Sequence, residues 1–122
     1  LFRSGVYHDP DRCAELTREL LQLPEPPTCI LMPDDFSSIG GRNAIHRMAL
    51  RLPEDISVAG YDGIQLASIT SPAMTTYRQD TAALGKTAAA KLIELIEKPR
   101  TALVDRILIP GKLVEGGSVR AI

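Results

Sequence analysis

Leu52–Gln79 reads LPEDISVAGYDGIQLASITSPAMTTYRQ, and the fold is decided by how this stretch is parsed. Pro53 stops any helix before it, and the apolar segment Ile56–Ala59 breaks at Gly60 into Tyr61-Asp62-Gly63. That pattern predicts a buried strand ending in a loop. Asp62 therefore falls at a strand's carboxyl end. In open parallel α/β sheets the loops at those ends form the ligand crevice, so an acid there is placed to accept hydrogen bonds from a bound molecule. Ser71-Pro72 makes a second break, and Met74–Tyr77 is rich in strand-favouring residues. The order is strand, ligand loop, crossover, strand.

Upstream, Thr28–Met32 is a continuous apolar run between prolines, as expected of a strand buried on both faces. Pro33-Asp34-Asp35-Phe36 follows, with Asp35 expected as the cap of the next helix and Asp34 at the strand end beside the Asp62 crevice. From Phe36 to about Arg51 the spacing is helical. Gly41, Ala44, Ile45, Met48 and Leu52 recur on a face for the sheet; Ile39, Asn43, His46 and Leu50 recur on another. That second stripe is either a subunit interface or a scatter of surface apolar residues. Further upstream, Asp9-Pro10-Asp11 starts a helix carrying Cys13, Leu16, Thr17, Leu20 and Leu23 as far as Pro24. Tyr7, just before it, either faces a ligand or covers the core's edge. Downstream, Asp80 caps a helix running to Lys98, with Leu84, Ala88, Leu92 and Leu95 as its buried face. Thr81 and Leu84 in its first turns either touch a ligand or serve as cap region and core. Val104–Ile109 and Leu113-Val114 are strand-like, and Gly116–Ser118 reads as a loop or fraying end.

The alternation of helical and strand-like segments over 122 residues predicts one modest α/β domain. Lys and Arg number 14 against 15 Asp and Glu, with no basic run, so this stretch is not expected to bind DNA itself. Cys13 and Cys29 have no metal-ligand or CxxC spacing and are read as packed thiols in a cytoplasmic protein. No segment is apolar for long enough to span a bilayer. His8 and His46 lack a ligand partner at metal-site spacing, and no GxSxG, HExxH or phosphate-cradling loop is present. Neither catalysis, metal nor cofactor is therefore expected. Asp34, Asp35 and Asp62 together would suit a phosphoacceptor receiver pocket, but that needs a Lys-Pro after a late strand, and Lys98-Pro99 ends a helix.

PPTCILMPDDFSSIGGRNAI, then RLPEDISVAGYDGIQLASITSPAMTTYRQDTAALGKTAAAKLIELI, then ILIPGKLVEGGS resemble the C-terminal half of a lactose/galactose-repressor family regulator. The resemblance implies a three-layer, open, mostly parallel sheet with helices on both faces, the type I periplasmic-binding-protein-like fold. Residues 1–122 would be its second lobe, with the first lobe and a helix-turn-helix headpiece elsewhere in the protein. It implies a small sugar-like or related polar effector bound between the lobes, operator DNA held by the headpiece, and a homodimer. By position, Asp62 matches the family's ligand-binding aspartate and Asp34 stands where an asparagine usually contacts ligand. Tyr7 falls where an aromatic residue stacks on ligand, Phe36 where ligand identity is read, and Thr81 and Leu84 on pocket-lining positions. Ile39, Leu66, Ile69 and Thr70 match dimer-interface positions. Gly63, Arg12 and Gly116 depart from the pattern, which frequently has aspartate, glycine and arginine there. A transporter-linked solute-binding protein of the same fold and a bare dimerisation module are the alternatives.

Overall fold

The computed structural model describes residues 1–5, 7–101 and 106–121. The chain divides into two compact units, Leu1–Arg78 with Leu113–Ile122, and Gln79–Lys112. The first holds α1 (Pro10–Leu21), β1 (Cys29–Leu31), α2 (Ser38–Arg47), β2 (Ser57–Asp62), α3 (Gln65–Ile69) and β3 (Thr75–Arg78). The second is built on α4 (Thr81–Glu97), and β4 (Lys112–Val114) begins on its last residue.

The strand order is β1-β2-β3-β4. β1 and β2 pair in parallel through Ile30 and Val58, and β2 and β3 through Gly60 and Thr76. Parallel neighbours bring the carboxyl ends of β1, β2 and β3 to one edge, which is why residues 34, 62 and 78 lie near one another. Side chains alternate across the sheet. Val58 points into a core formed with Cys13 and Leu20 of α1 and Ile45 of α2. Tyr61 and Tyr77 lie on the other face, their rings stacked at 5.7 Å.

Asp9 caps α1 by accepting from the Arg12 N–H at 2.9 Å, with Pro10 in the first helical position. α2 presents Gly40, Gly41, Ala44 and Ile45 inward. A Cβ on Gly40 would lie 1.7 Å from the Pro10 carbonyl oxygen, so glycine is what lets the start of α2 approach the start of α1. The helix stops at Arg47, earlier than its spacing predicts, where Ala49 takes a left-handed conformation (φ 58°).

Several expectations are corrected. Cys13 is buried against the Met32 sulfur, but Cys29 is exposed, because it lies on the sheet face that α1 and α2 do not cover. Ser118 is fully buried: its hydroxyl donates to the Val58 carbonyl (2.6 Å) and accepts from the Thr75 N–H (2.8 Å), stitching β2 to β3. No residue of α4 is buried, so Leu84 and Leu92 do not form a covered face. Of the expected strand Val104–Ile109, Val104 and Asp105 lie outside the described residues and Arg106–Ile109 form no strand.

Candidate functional site

β2 carries Asp62 out of the sheet in an unusual backbone conformation, φ 100°, followed by Gly63 at φ 69°. Gly63 suits this left-handed region and has no room for a side chain, since a Cβ there would lie 2.4 Å from Arg78 Cα. A non-glycine residue held in this region costs of order 1–3 kcal/mol, which surrounding bonds must offset. Asp35 supplies two of them. Its N–H donates to the Tyr61 carbonyl (2.9 Å), just before Asp62, and its Oδ2 accepts from the Ile64 N–H (2.9 Å), just after Gly63.

Tyr7 approaches from the α1 side, and its hydroxyl donates to Asp62 Oδ2 at 2.5 Å. Donation to a carboxylate stabilises the protonated phenol, and the negative charges of Asp62, Asp34 and Asp35 add to this. The Tyr7 pKa is pushed up to about 12. The Tyr7 ring stacks on His8 at 4.4 Å, and His8 leans on Phe36 at 5.3 Å. These three rings make an aromatic wall next to the Asp62 carboxylate. Such a wall suits the apolar face of a ring-shaped ligand whose polar edge meets an acid.

Asp34 is 0% exposed. Its Oδ1 accepts from the Ser37 N–H (2.7 Å), and its Oδ2 accepts from the Ser37 hydroxyl (2.6 Å) and the His8 N–H (3.2 Å). Burial pushes its pKa up, but the donors from Ser37 and His8 together outweigh burial and hold the carboxyl below the usual range. The sequence reading of these neighbours is thus corrected: α2 begins at Ser38 with Ser37 at its cap position and no side-chain cap bond, Asp34 closes the turn ahead of it by accepting from the Ser37 N–H, and Asp35 ties strand ends together. Three bonds take three of the carboxylate's roughly four acceptor sites on Asp34, and full burial keeps the remaining one from solvent and ligand alike. Asp34 acts on the wall instead, by fixing the His8 backbone at φ 59°.

The structure thus brings Tyr7, Asp62 and Phe36 together at one sheet edge, with Asp34 and Asp35 beneath them. Thr81 and Leu84 lie in the first turns of α4, in the second unit, both exposed. His8, weighed from the sequence only as a metal ligand and set aside, is part of the wall; its only local signal is its place between an aromatic residue and a helix cap. Two grooves of the first unit lie away from this cluster. One, of about 410 Å³, runs between α1 and β1 past Phe2, Cys13, Leu16 and Leu31. The other, of about 510 Å³, lies between α2 and Thr70–Pro72 and is lined by Ile39, Arg42, His46 and Leu50. Among the described residues no cluster of His, Cys, Asp and Glu could hold a metal ion, and no helix is long and apolar enough to cross a membrane.

Comparison with known proteins gives a consistent picture. The family model for a periplasmic binding protein-like domain matches residues 3–119. The probable HTH-type transcriptional repressor ExuR of Bacillus subtilis (strain 168) is 33% identical over 115 residues, covering 94% of this chain and 34% of its own. A putative transcriptional regulator LacI from Bacillus cereus subsp. cytotoxis superposes with a TM-score of 0.88 at 26% identity, covering 94% of this chain and 40% of that one. A LacI family regulator from Enterococcus faecium, crystallised with bound ribose, gives 0.78 at 26% identity over 91% of this chain and 40% of that one. The chain spans roughly a third of the length of the curated relatives it matches.

Proposed function

The chain belongs to the periplasmic binding protein-like domain family, in the form carried by lactose/galactose-repressor-type regulators, and from that premise we propose that it is the effector-sensing lobe of a cytoplasmic transcriptional regulator. The lobe binds a small ring-shaped polar molecule, a sugar or related metabolite, between itself and a first lobe. A DNA-binding headpiece outside this chain holds the operator. Binding controls the operator only so far as the effector prefers one arrangement of the lobes over the other. Asp62 receives the effector's hydrogen-bond donors, and Tyr7 and Phe36 border its apolar face; in the second unit, Thr81 and Leu84 are the positions that the family resemblance assigns to effector contact. Asp34, with both oxygens occupied, shapes the wall from behind.

The observation that carries this reading is Asp62 itself: an acid in a costly backbone conformation, at the end of a parallel strand, beside a row of three rings, Tyr7 stacked on His8 and Phe36 tilted against it. The test is a thermal-shift screen of the full-length protein with ribose, other free sugars and nucleobases, repeated on Asp62→Ala. A compound that raises the melting temperature of the parent and not of Asp62→Ala supports the assignment. An equal rise in both overturns it.

The regulator acts as a homodimer in this reading, with Ile39, Leu66, Ile69 and Thr70 at the interface. Ile69 is 71% exposed, and Ile39 and Thr70 line the groove beside α2. An exposed apolar residue next to a lined groove is what a self-complementary interface offers. Sedimentation of Ile69→Asp against the parent tests it: the variant is expected to dissociate, and unchanged assembly would remove Ile69 from the interface.

A further inference from the structure

Asp35 is almost completely buried (1% exposed), yet among the described residues its carboxylate bonds neither to a cation nor to the turn that leads into α2. Oδ1 accepts from the Thr76 hydroxyl of β3 at 2.7 Å, and Oδ2 from the Ile64 N–H at 2.9 Å. With its own N–H on the Tyr61 carbonyl, this one residue grips the chain on both sides of Asp62 and anchors the grip in the third strand. Gly60 leaves the space for it: a Cβ there would lie 2.2 Å from Asp35 Oδ1. Buried acids accepting from neutral donors cost desolvation, and the arrangement persists where it fixes a geometry that a looser contact would not.

We propose that Asp35 is the positioning residue for the effector acid, a bracket that holds Asp62 and Gly63 in their left-handed conformation so that the carboxylate stays beside Tyr7. The inference rests on the reading of Asp62 as the effector contact, but it concerns backbone geometry and is testable without any effector. Removing the bracket frees the loop to relax; the sheet remains paired through its own ladder. Asparagine in place of Asp35 keeps an acceptor for Ile64 and presents its amide to the Thr76 oxygen, so the bracket survives the loss of charge.

Amide hydrogen exchange of the full-length protein, with nothing added, reads this directly. In Asp35→Ala the Ile64 amide is expected to exchange about tenfold faster or more, while Met32 and Val58, bonded to Ala59 and Ser118, keep their rates. Asp35→Asn is expected to restore Ile64 to within about threefold of the parent, and Thr76→Val, which removes only the anchor, to fall between. An unchanged Ile64 rate in Asp35→Ala overturns the proposal, as does an equal acceleration at all three amides, which marks a merely structural role. Should Asp35→Ala fail to fold, the Thr76→Val and Asp35→Asn rates decide by the same criterion. The effector reading fails separately, on the response of Asp62→Ala to added compounds.

Discussion

Tyr7 and Asp62 are 55 residues apart in the chain, and the Tyr7 hydroxyl donates to Asp62 Oδ2 at 2.5 Å. A donor supplied by the protein thus occupies one oxygen of the acid assigned to the effector. An effector hydroxyl that takes the same lone pair displaces it, and one that takes the other lone pair shares a charge already partly neutralised, so part of the gain in binding is offset either way. Tyr7→Phe keeps the ring and removes the competing donor. Effector affinity, read by calorimetric titration of the compound found in the thermal-shift screen, is expected to rise about two- to tenfold. A fall would mean that the hydroxyl bonds to the effector directly.

The same contact predicts an alkaline signature. Tyr7 has its pKa raised to about 12 in the folded chain, against about 10 for an unconstrained tyrosine. A group whose pKa is raised on folding contributes stability that is fully present below its unfolded value and is lost as pH rises through the folded one. The window is therefore between about 10 and about 12. Ultraviolet titration of the parent minus Tyr7→Phe is expected to isolate this late ionisation, and Asp62→Asn to move it back toward the ordinary value.

Asp34 gives the opposite sign. Its carboxyl is held below the usual range, so its contribution is present above about 3.9, the unfolded value, and is lost as pH falls through the lower folded one. Asp34→Ala leaves the buried Ser37 hydroxyl and the His8 N–H without their acceptor and is expected to cost about 1–3 kcal/mol near neutral pH. Asp34→Asn keeps one acceptor, costs less and loses the acid dependence. Denaturant melts of the three proteins across the acid range check both statements.

How far the fold could be read in advance depended on the reach of each interaction. Asp9 and Asp80 were legible as caps because each bonds three residues ahead, to Arg12 and Ala83, and such bonds leave a local spacing. β1, β2 and β3 were legible from short apolar runs between prolines and glycines, whereas the run ending at Ile109 gave the same signal and forms no strand over Arg106–Ile109. Asp34 and Asp35 were not separable, since either acid could cap, and the partners that distinguish Asp35 lie 29 and 41 residues away at Ile64 and Thr76. The exposed state of α4 was equally hidden: periodicity states which residues share a face, not whether another surface covers it. For the site, Asp62 was visible from position and resemblance, whereas the bracket that fixes it exists only once three strand ends have met.

Ser118 is the strongest case of long reach, and it yields a stability prediction at a position that reads as a loop. Val58 N–H donates to the Ser118 carbonyl at 2.8 Å, and the Ser118 hydroxyl bonds to both the Val58 carbonyl and the Thr75 N–H. β2 and β3 pair from Ala59 and Thr75 onward, so one serine completes the ladder just before the strands meet. Ser118→Ala leaves the Val58 carbonyl and the Thr75 N–H without that partner, at a cost of about 1–3 kcal/mol by denaturant unfolding. Ser118→Thr keeps the hydroxyl but adds a methyl group at a site with no exposed surface, and is expected to recover only part of the loss. If Ser118→Ala unfolded at the same denaturant concentration as the parent, the tail would be an adornment of the sheet; the buried hydroxyl between two strands argues that it is one of its fastenings.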